Sequence, residues 1–197
     1  MTDPAQVTDT AQPEPVVVRW PGRDSAAAPG LPSLLAAYHL QTESEKGAGV
    51  SDVDALPARY RAEITAPGTA FVDDVVLLAR CGAASAGCLV VAAPVAGRSE
   101  LKRLWTDPAF RGRGIASMLI AAALDPAALD PAALNPSAAD FSAAGRVSTV
   151  ALSVWEWRTG AIGLYTRFGF RVVESWDERR ELVCMERAGC QPEASAP

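Results

Sequence analysis

The sequence predicts a mixed α/β fold, with helices layered on a central sheet. Three observations carry this reading. Apolar, β-branched runs of strand length alternate along the chain with segments of helical spacing. Two of the runs, VVLLARCG and GCLVVAA, are separated only by small residues, as in an antiparallel hairpin. A glycine-containing turn, FRGRGIA, leads from a strand into a small apolar helix.

In chain order, VVVRW (16–20) reads as the first strand, and a helix over 33–45 follows. Ser33 is its expected N-cap, with Leu34, Leu35, Tyr38 and His39 at helical spacing. Ser51 or Asp52 is expected to cap a second helix running through Tyr60. The hairpin occupies 75–82 and 87–93, and SELKRLWT (99–106) continues the sheet. Next come a helix over 117–124, a strand over 147–155 and a helix over 159–168, and FRVVESW and ELVCMER close the chain as two strands.

The 197 residues, 49% hydrophobic and 21% charged, have the balance of a soluble protein, with length for one domain and some spare chain. Residues 1–15 and 188–197 are rich in Pro, Ala, Gln and Glu and are expected to be disordered tails around a domain at 16–187. DPAAL, DPAAL and NPSAA form a short repeat over 125–139, read with its surroundings (125–145) as a low-complexity insertion. The net charge of −5 argues against nucleic acid as partner, because that binding needs clustered Lys and Arg, and favours a cationic molecule. No run reaches the roughly 20 apolar residues that span a bilayer, and the N-terminus lacks the basic and apolar regions of a secretory signal, so a cytoplasmic protein without membrane contact is expected. Cys81, Cys88, Cys184 and Cys190 sit in no CxxC pair, and His39 is the single histidine. No metal site is expected, and the first three cysteines read as small buried hydrophobes.

Chemistry concentrates at Arg111-Gly112-Arg113-Gly114-Ile115-Ala116. A strand-to-helix junction presents unpaired N–H groups at the positive end of a helix dipole, and glycine lets an anion approach the backbone closely. A Walker loop is excluded by the missing Gly-Lys-Ser/Thr ending, and the pattern is not the GxGxxG of a parallel βαβ unit.

ELKRLWTDPAFRGRGIASMLI resembles the acetyl-CoA-binding segment of the GNAT superfamily of N-acetyltransferases, with Arg111, Gly114 and Ala116 on the Q/R-x-x-G-x-G/A signature. AIGLYTRFGFRVVE resembles the family's second hallmark, a helix bearing A-x-x-L-Y followed by a Gly-Phe turn into a strand. The resemblance implies a mixed, mostly antiparallel sheet of about seven strands with helices on both faces, splayed between the fourth and fifth strands. It implies acetyl-CoA as co-substrate, with the pyrophosphate on the N–H groups of Arg111, Gly112, Arg113, Gly114, Ile115 and Ala116, and with Ser117 also among the cofactor-binding residues. Leu104 N–H would stabilise oxyanion charge, and Trp105 and Thr106 would line the pantetheine path. Tyr165 would protonate the departing thiolate, while Glu100 would be either the general base or a solvated carboxylate paired with Lys102 or Arg103.

Arg158 stands where many relatives carry a pantetheine-contacting asparagine, and it cannot replace that residue because guanidinium only donates. The acceptor is expected between the first two helices and the late strands, roughly 38–60 and 176–180. Glu43, Glu45, Asp52 and Asp54 there either attract an ammonium group or form an ordinary solvated helix end, and His39 reads as a core histidine. The function implied is N-acetyl transfer to a primary amine of a small molecule, peptide or protein by direct transfer in a ternary complex, with a homodimer left open. The alternative is a non-catalytic acyl-CoA-binding regulatory module.

Overall fold

Alternation along two interior strands decides the layering. In strand β2 (Val75–Cys81) and strand β3 (Ala84–Val91) nearly every side chain is buried, so both faces of the sheet must be covered. Val75, Leu77, Ala79, Leu89 and Val91 enter one core cluster, and Val76, Leu78, Cys88 and Val90 enter the other. The first cluster is closed by Ile115, Leu119 and Ile120, and the second by Leu31, Leu34, Leu35, Tyr60 and Ile64. The protein is thus three layers, helix on sheet on helix.

The computed structural model describes residues 13–21, 30–125 and 147–189. The expected tails, apart from 13–15 and 188–189, lie outside these residues. So do the expected insertion, apart from Asp125, and Cys190.

Strands β1 (Pro15–Arg19), β2, β3, β4 (Arg98–Thr106), β5 (Thr149–Trp155), β6 (Arg171–Val173) and β7 (Leu182–Ala188) form one seven-stranded sheet in the order β1-β2-β3-β4-β5-β7-β6. Every pairing is antiparallel except β4 with β5. The helices are α1 (Leu31–Glu45), α2 (Ala58–Thr65), the short α3 (Pro67–Ala70), α4 (Ile115–Ala123) and α5 (Thr159–Arg167).

Three local expectations are corrected. Ser33 does not cap α1. The N-cap is Gly30 in a left-handed conformation, and Pro32 holds the first turn, where its missing N–H costs nothing. The second helix does not run from Asp52 to Tyr60. Asp52 caps only a 3₁₀ turn, Val53–Ala55, accepting from Ala55 N at 3.1 Å, and α2 starts afresh after Pro57. Helix α4 begins at Ile115, earlier than expected.

Gly87 lets α4 lie on the sheet. A Cβ there would stand 2.6 Å from the Trp105 carbonyl oxygen and 3.1 Å from Ile115 Cγ2. Gly87→Ala is therefore expected to cost about 1–3 kcal/mol, the usual range for overpacking, read as a lower denaturant midpoint with unchanged slope.

Two irregularities shape β4. Cys88 lies opposite Trp105 but Val90 opposite Lys102, so Arg103 and Leu104 together face Leu89 in a β-bulge. Arg103 occupies the left-handed region at φ 56°, unusual for a residue with a Cβ. The parallel pairing of β4 with β5 also stops at Leu101↔Leu152, although β4 runs on to Thr106 and β5 to Trp155. Beyond Leu101 the edge of β4 facing β5 has no strand partner, and the two strands part.

Candidate active site

The parted strands open a cleft of about 1000 Å³. Its walls are β4 from Glu100 onward, the turn before α4, the end of β5, the start of α5, the inner faces of α1 and α2, and the loop between β6 and β7. Of the residues singled out in the sequence, Glu100, Leu104, Trp105, Thr106, Arg111, Gly112, Gly114, Ile115, Ala116, Ser117 and Tyr165 all border it. Arg113 does not: its guanidinium donates to the Pro13 carbonyl at 3.1 Å and lies over the Phe110 ring.

The turn before α4 is built by its sequence. Asp107 caps a 3₁₀ turn, Pro108–Phe110, by accepting from Ala109 N at 2.9 Å. Gly112 and Gly114 then take φ values of 77° and 74°, which favour glycine. Gly114 is the N-cap of α4 and supplies no side-chain acceptor, so the first N–H groups of α4 are left for another partner. The positions a Cβ would take at Gly112 and Gly114 meet nothing within 4 Å. Beside the turn, Arg111 lies over the Trp105 ring at 5.0 Å and donates from Nε to the Thr106 carbonyl at 3.4 Å. Trp105 Nε1 and Thr106 Oγ1 are buried without a hydrogen-bond partner among the described residues. Leaving buried polar atoms unpaired costs free energy unless a ligand completes them.

Tyr165 reaches the cleft from α5, packed edge-on against Phe170 at 5.8 Å between ring centroids. Burial, reinforced by Tyr38, pushes its phenol well above the usual range and outweighs the opposing effect of Arg158. The hydroxyl keeps its proton throughout the neutral range.

Comparison with known proteins fits this geometry. A family model described as an acetyltransferase (GNAT) domain matches residues 72–172, more than half of the chain. The chain belongs to the GNAT acetyltransferases. No curated protein matches the sequence. Among solved structures, it is similar to a putative acyl-CoA N-acyltransferase from Klebsiella pneumoniae at 21% identity and a TM-score of 0.55, covering 88% of this chain and 97% of that one. It is similar to a PaiA N-acetyltransferase from Thermoplasma acidophilum in complex with coenzyme A, at 15% identity and a TM-score of 0.60, covering 89% and 99%. A GNAT acetyltransferase from Elizabethkingia anophelis with acetyl-CoA bound matches at 13% identity and a TM-score of 0.51, covering 89% and 98%. At these identities the likeness shows the fold. Among the described residues, no helix is long and apolar enough to cross a membrane, and no group of three or more His, Cys, Asp or Glu could hold a metal.

This GNAT domain also carries a buried network that sequence reasoning missed. Glu63 on α2 accepts from Arg103 Nε and Nη2, each at 2.7 Å, and meets His39 Nε2 at 2.8 Å. His39 is 1% exposed and stacks on Tyr60 at 4.2 Å, so its reading as a core histidine holds. Burial alone would raise the Glu63 carboxyl, but hydrogen bonds from Arg103 and His39 prevail and hold it at about 2. The network ties α1 and α2 to the bulge of β4, directly before Leu104.

The four acids expected near the acceptor divide. Only Glu45 borders the cleft. It accepts from Arg158 Nε at 2.7 Å and Trp157 Nε1 at 3.2 Å, while Arg158 Nη2 donates to Thr42 Oγ1 at 2.8 Å. Arg158 therefore straps the end of α1 to the start of α5 rather than facing solvent. Glu43 pairs with Lys46, and Asp52 caps its turn.

Proposed function

We propose that this chain transfers the acetyl group of acetyl-CoA to a primary amine by direct transfer in a ternary complex. The parting of β4 and β5 beyond Leu101, beside the glycine turn of α4, carries this reading. Residues on both sides fit coenzyme A. The unpartnered Trp105 Nε1 and Thr106 Oγ1 and the free edge of β4 suit the amide-rich pantetheine arm. The open Cβ positions at Gly112 and Gly114, with the N–H groups of Gly112, Gly114, Ile115, Ala116 and Ser117, suit its phosphates.

Acetyl-CoA supplies an activated acyl group. The chain's own residues do the remainder. Leu104 N–H, within the bulge, stabilises negative charge developing on the carbonyl oxygen. Tyr165 gives its proton to the leaving sulfur.

An ammonium has no lone pair, so a base must take a proton, and the wall carboxylates differ in freedom. Glu45 is held by Arg158 at 2.7 Å and Asp177 by Arg179 at 2.5 Å, whereas among the described residues Glu100 pairs only with Lys102 Nζ, at 3.6 Å. Glu100 takes this role. Direct transfer is supported by where the thiols among the described residues lie: Cys81, Cys88 and Cys184 are buried away from the cleft wall. Burial pushes the Cys88 thiol up to about 12, far from a nucleophilic thiolate.

The test is double. Initial velocities should give intersecting rather than parallel lines, since parallel lines indicate an acyl-enzyme. Gly114→Val should weaken acetyl-CoA binding by calorimetry at least about tenfold, or about 1.4 kcal/mol. Unchanged affinity would sink the phosphate site.

A further inference from the structure

The acceptor end of the cleft is basic and aromatic, although the chain as a whole is acidic. Arg59 on α2, Arg103 on β4 and Arg179 in the loop between β6 and β7 all border it, close to Tyr60. Two of these guanidinium groups are committed. Arg103 is bidentate on Glu63, and Arg179 is bidentate on Asp177 at 2.8 and 2.5 Å.

Arg59 is different. It makes no ion pair among the described residues; its guanidinium lies over the Tyr60 ring at 4.6 Å and donates to the Tyr60 hydroxyl at 2.6 Å. A guanidinium carries five donors, accepts nothing and stays charged. Most of its donors therefore face the cleft without a carboxylate.

Asp177 lies near enough to feel the charge of Arg59, but its hydrogen bonds go elsewhere. Asp177 already belongs to Arg179, and His39, behind Tyr60, has its pKa lowered by burial and carries no negative charge. An acceptor surrounded by its own cations would be repelled here, whereas a carboxylate would find a planar fork of the right shape.

Resting on the acetyl-transfer reading above, we infer that the acceptor amine carries a carboxylate, as an amino acid does, and that Arg59 receives it. Arg59 is thus a specificity-determining residue. The stacked pair Trp155 and Trp157, 4.8 Å between centroids, and Trp176 add an aromatic wall to the same cleft.

The experiment follows free CoA release at saturating acetyl-CoA with phenylalanine, leucine and methionine, each beside its amide and its decarboxylated amine. An aspartyl peptide amide with its asparaginyl counterpart, and spermidine, complete the panel. The free amino acids should exceed their amides and decarboxylated amines in kcat/KM by about tenfold or more, the range of one charge-assisted hydrogen bond. Activity of the aspartyl peptide above its asparaginyl counterpart would place the carboxylate on a peptide side chain and support the same chemistry. Arg59→Gln should shrink the advantage to about twofold, and Arg59→Lys should restore part of it, because a charge without the fork remains.

Equal turnover of acids and amides, preference for spermidine, or an advantage that survives Arg59→Gln overturns the inference while leaving acetyl transfer intact. Acetyl-CoA that binds but is never turned over with any amine overturns the transfer reading as well.

Discussion

Tyr165→Phe is expected to lower turnover by about 100-fold to 10,000-fold, the usual contribution of a positioned proton donor. The acetyl-CoA Michaelis constant should move little. Only the hydroxyl is removed, so the ring keeps its packing against Phe170 and the fold should keep its denaturant midpoint. The direction of the phenol shift matters to the interpretation. Burial stabilises the neutral form, so a proton is available at pH 7 and is lost only well above the ordinary value of 10.0. The Tyr165-dependent rate should accordingly persist through mildly alkaline pH. Wild-type turnover in the variant, measured with a good acceptor, would reduce Tyr165 to a packing residue.

Glu63→Ala should lower stability by about 1–3 kcal/mol, because it leaves a half-buried guanidinium without its acceptors. Arg103 is 21% exposed on its side chain and His39 is 1% exposed, so water from the cleft replaces the lost carboxylate only in part. Glu63→Gln keeps the volume and one acceptor and should cost less.

The same network makes stability depend on pH. The folded Glu63 carboxyl is held at about 2 against an ordinary 4.5, so the folded chain binds fewer protons in that window. Its contribution is complete above about 4.5 and is lost as the pH falls towards 2. The pKa of His39 is lowered by burial, and its contribution likewise declines as the pH falls below 6.5. Denaturant midpoints at a series of pH values should fall on acidification in the wild type and fall less in Glu63→Gln. Parallel curves for the two proteins would show that the network does not carry the acid sensitivity.

The layers and the glycine turn were legible in the sequence because they rest on local signals. Alternation in β2 and β3, the small residues between them and the paired glycines before α4 each fall within a few residues. What stayed hidden depends on long-range contacts. Glu63 and Arg103 are 40 residues apart, and Glu45 and Arg158 are 113 apart, so no periodicity links them. The bulge was hidden for another reason: a left-handed residue usually announces itself as Gly or Asn, whereas Arg103 is held there by its partners. The failed Ser33 cap shows two start signals in conflict. The Gly-Leu-Pro sequence before it begins the helix first and leaves Ser33 inside the opening turn.

The placement of the tryptophans gives the enzyme an optical property. Of five in the chain, Trp105, Trp155, Trp157 and Trp176 border the cleft, and only Trp20 lies elsewhere. Indole emission responds to local polarity and to nearby charge, and Arg111 and Arg179 lie over two of these rings. Trp155 and Trp157 are nearly parallel, at 11°, close enough for their electronic transitions to couple and produce a paired band in circular dichroism. Filling the cleft therefore changes the protein's own fluorescence and dichroism, so ligand association can be timed in a stopped-flow instrument without a label.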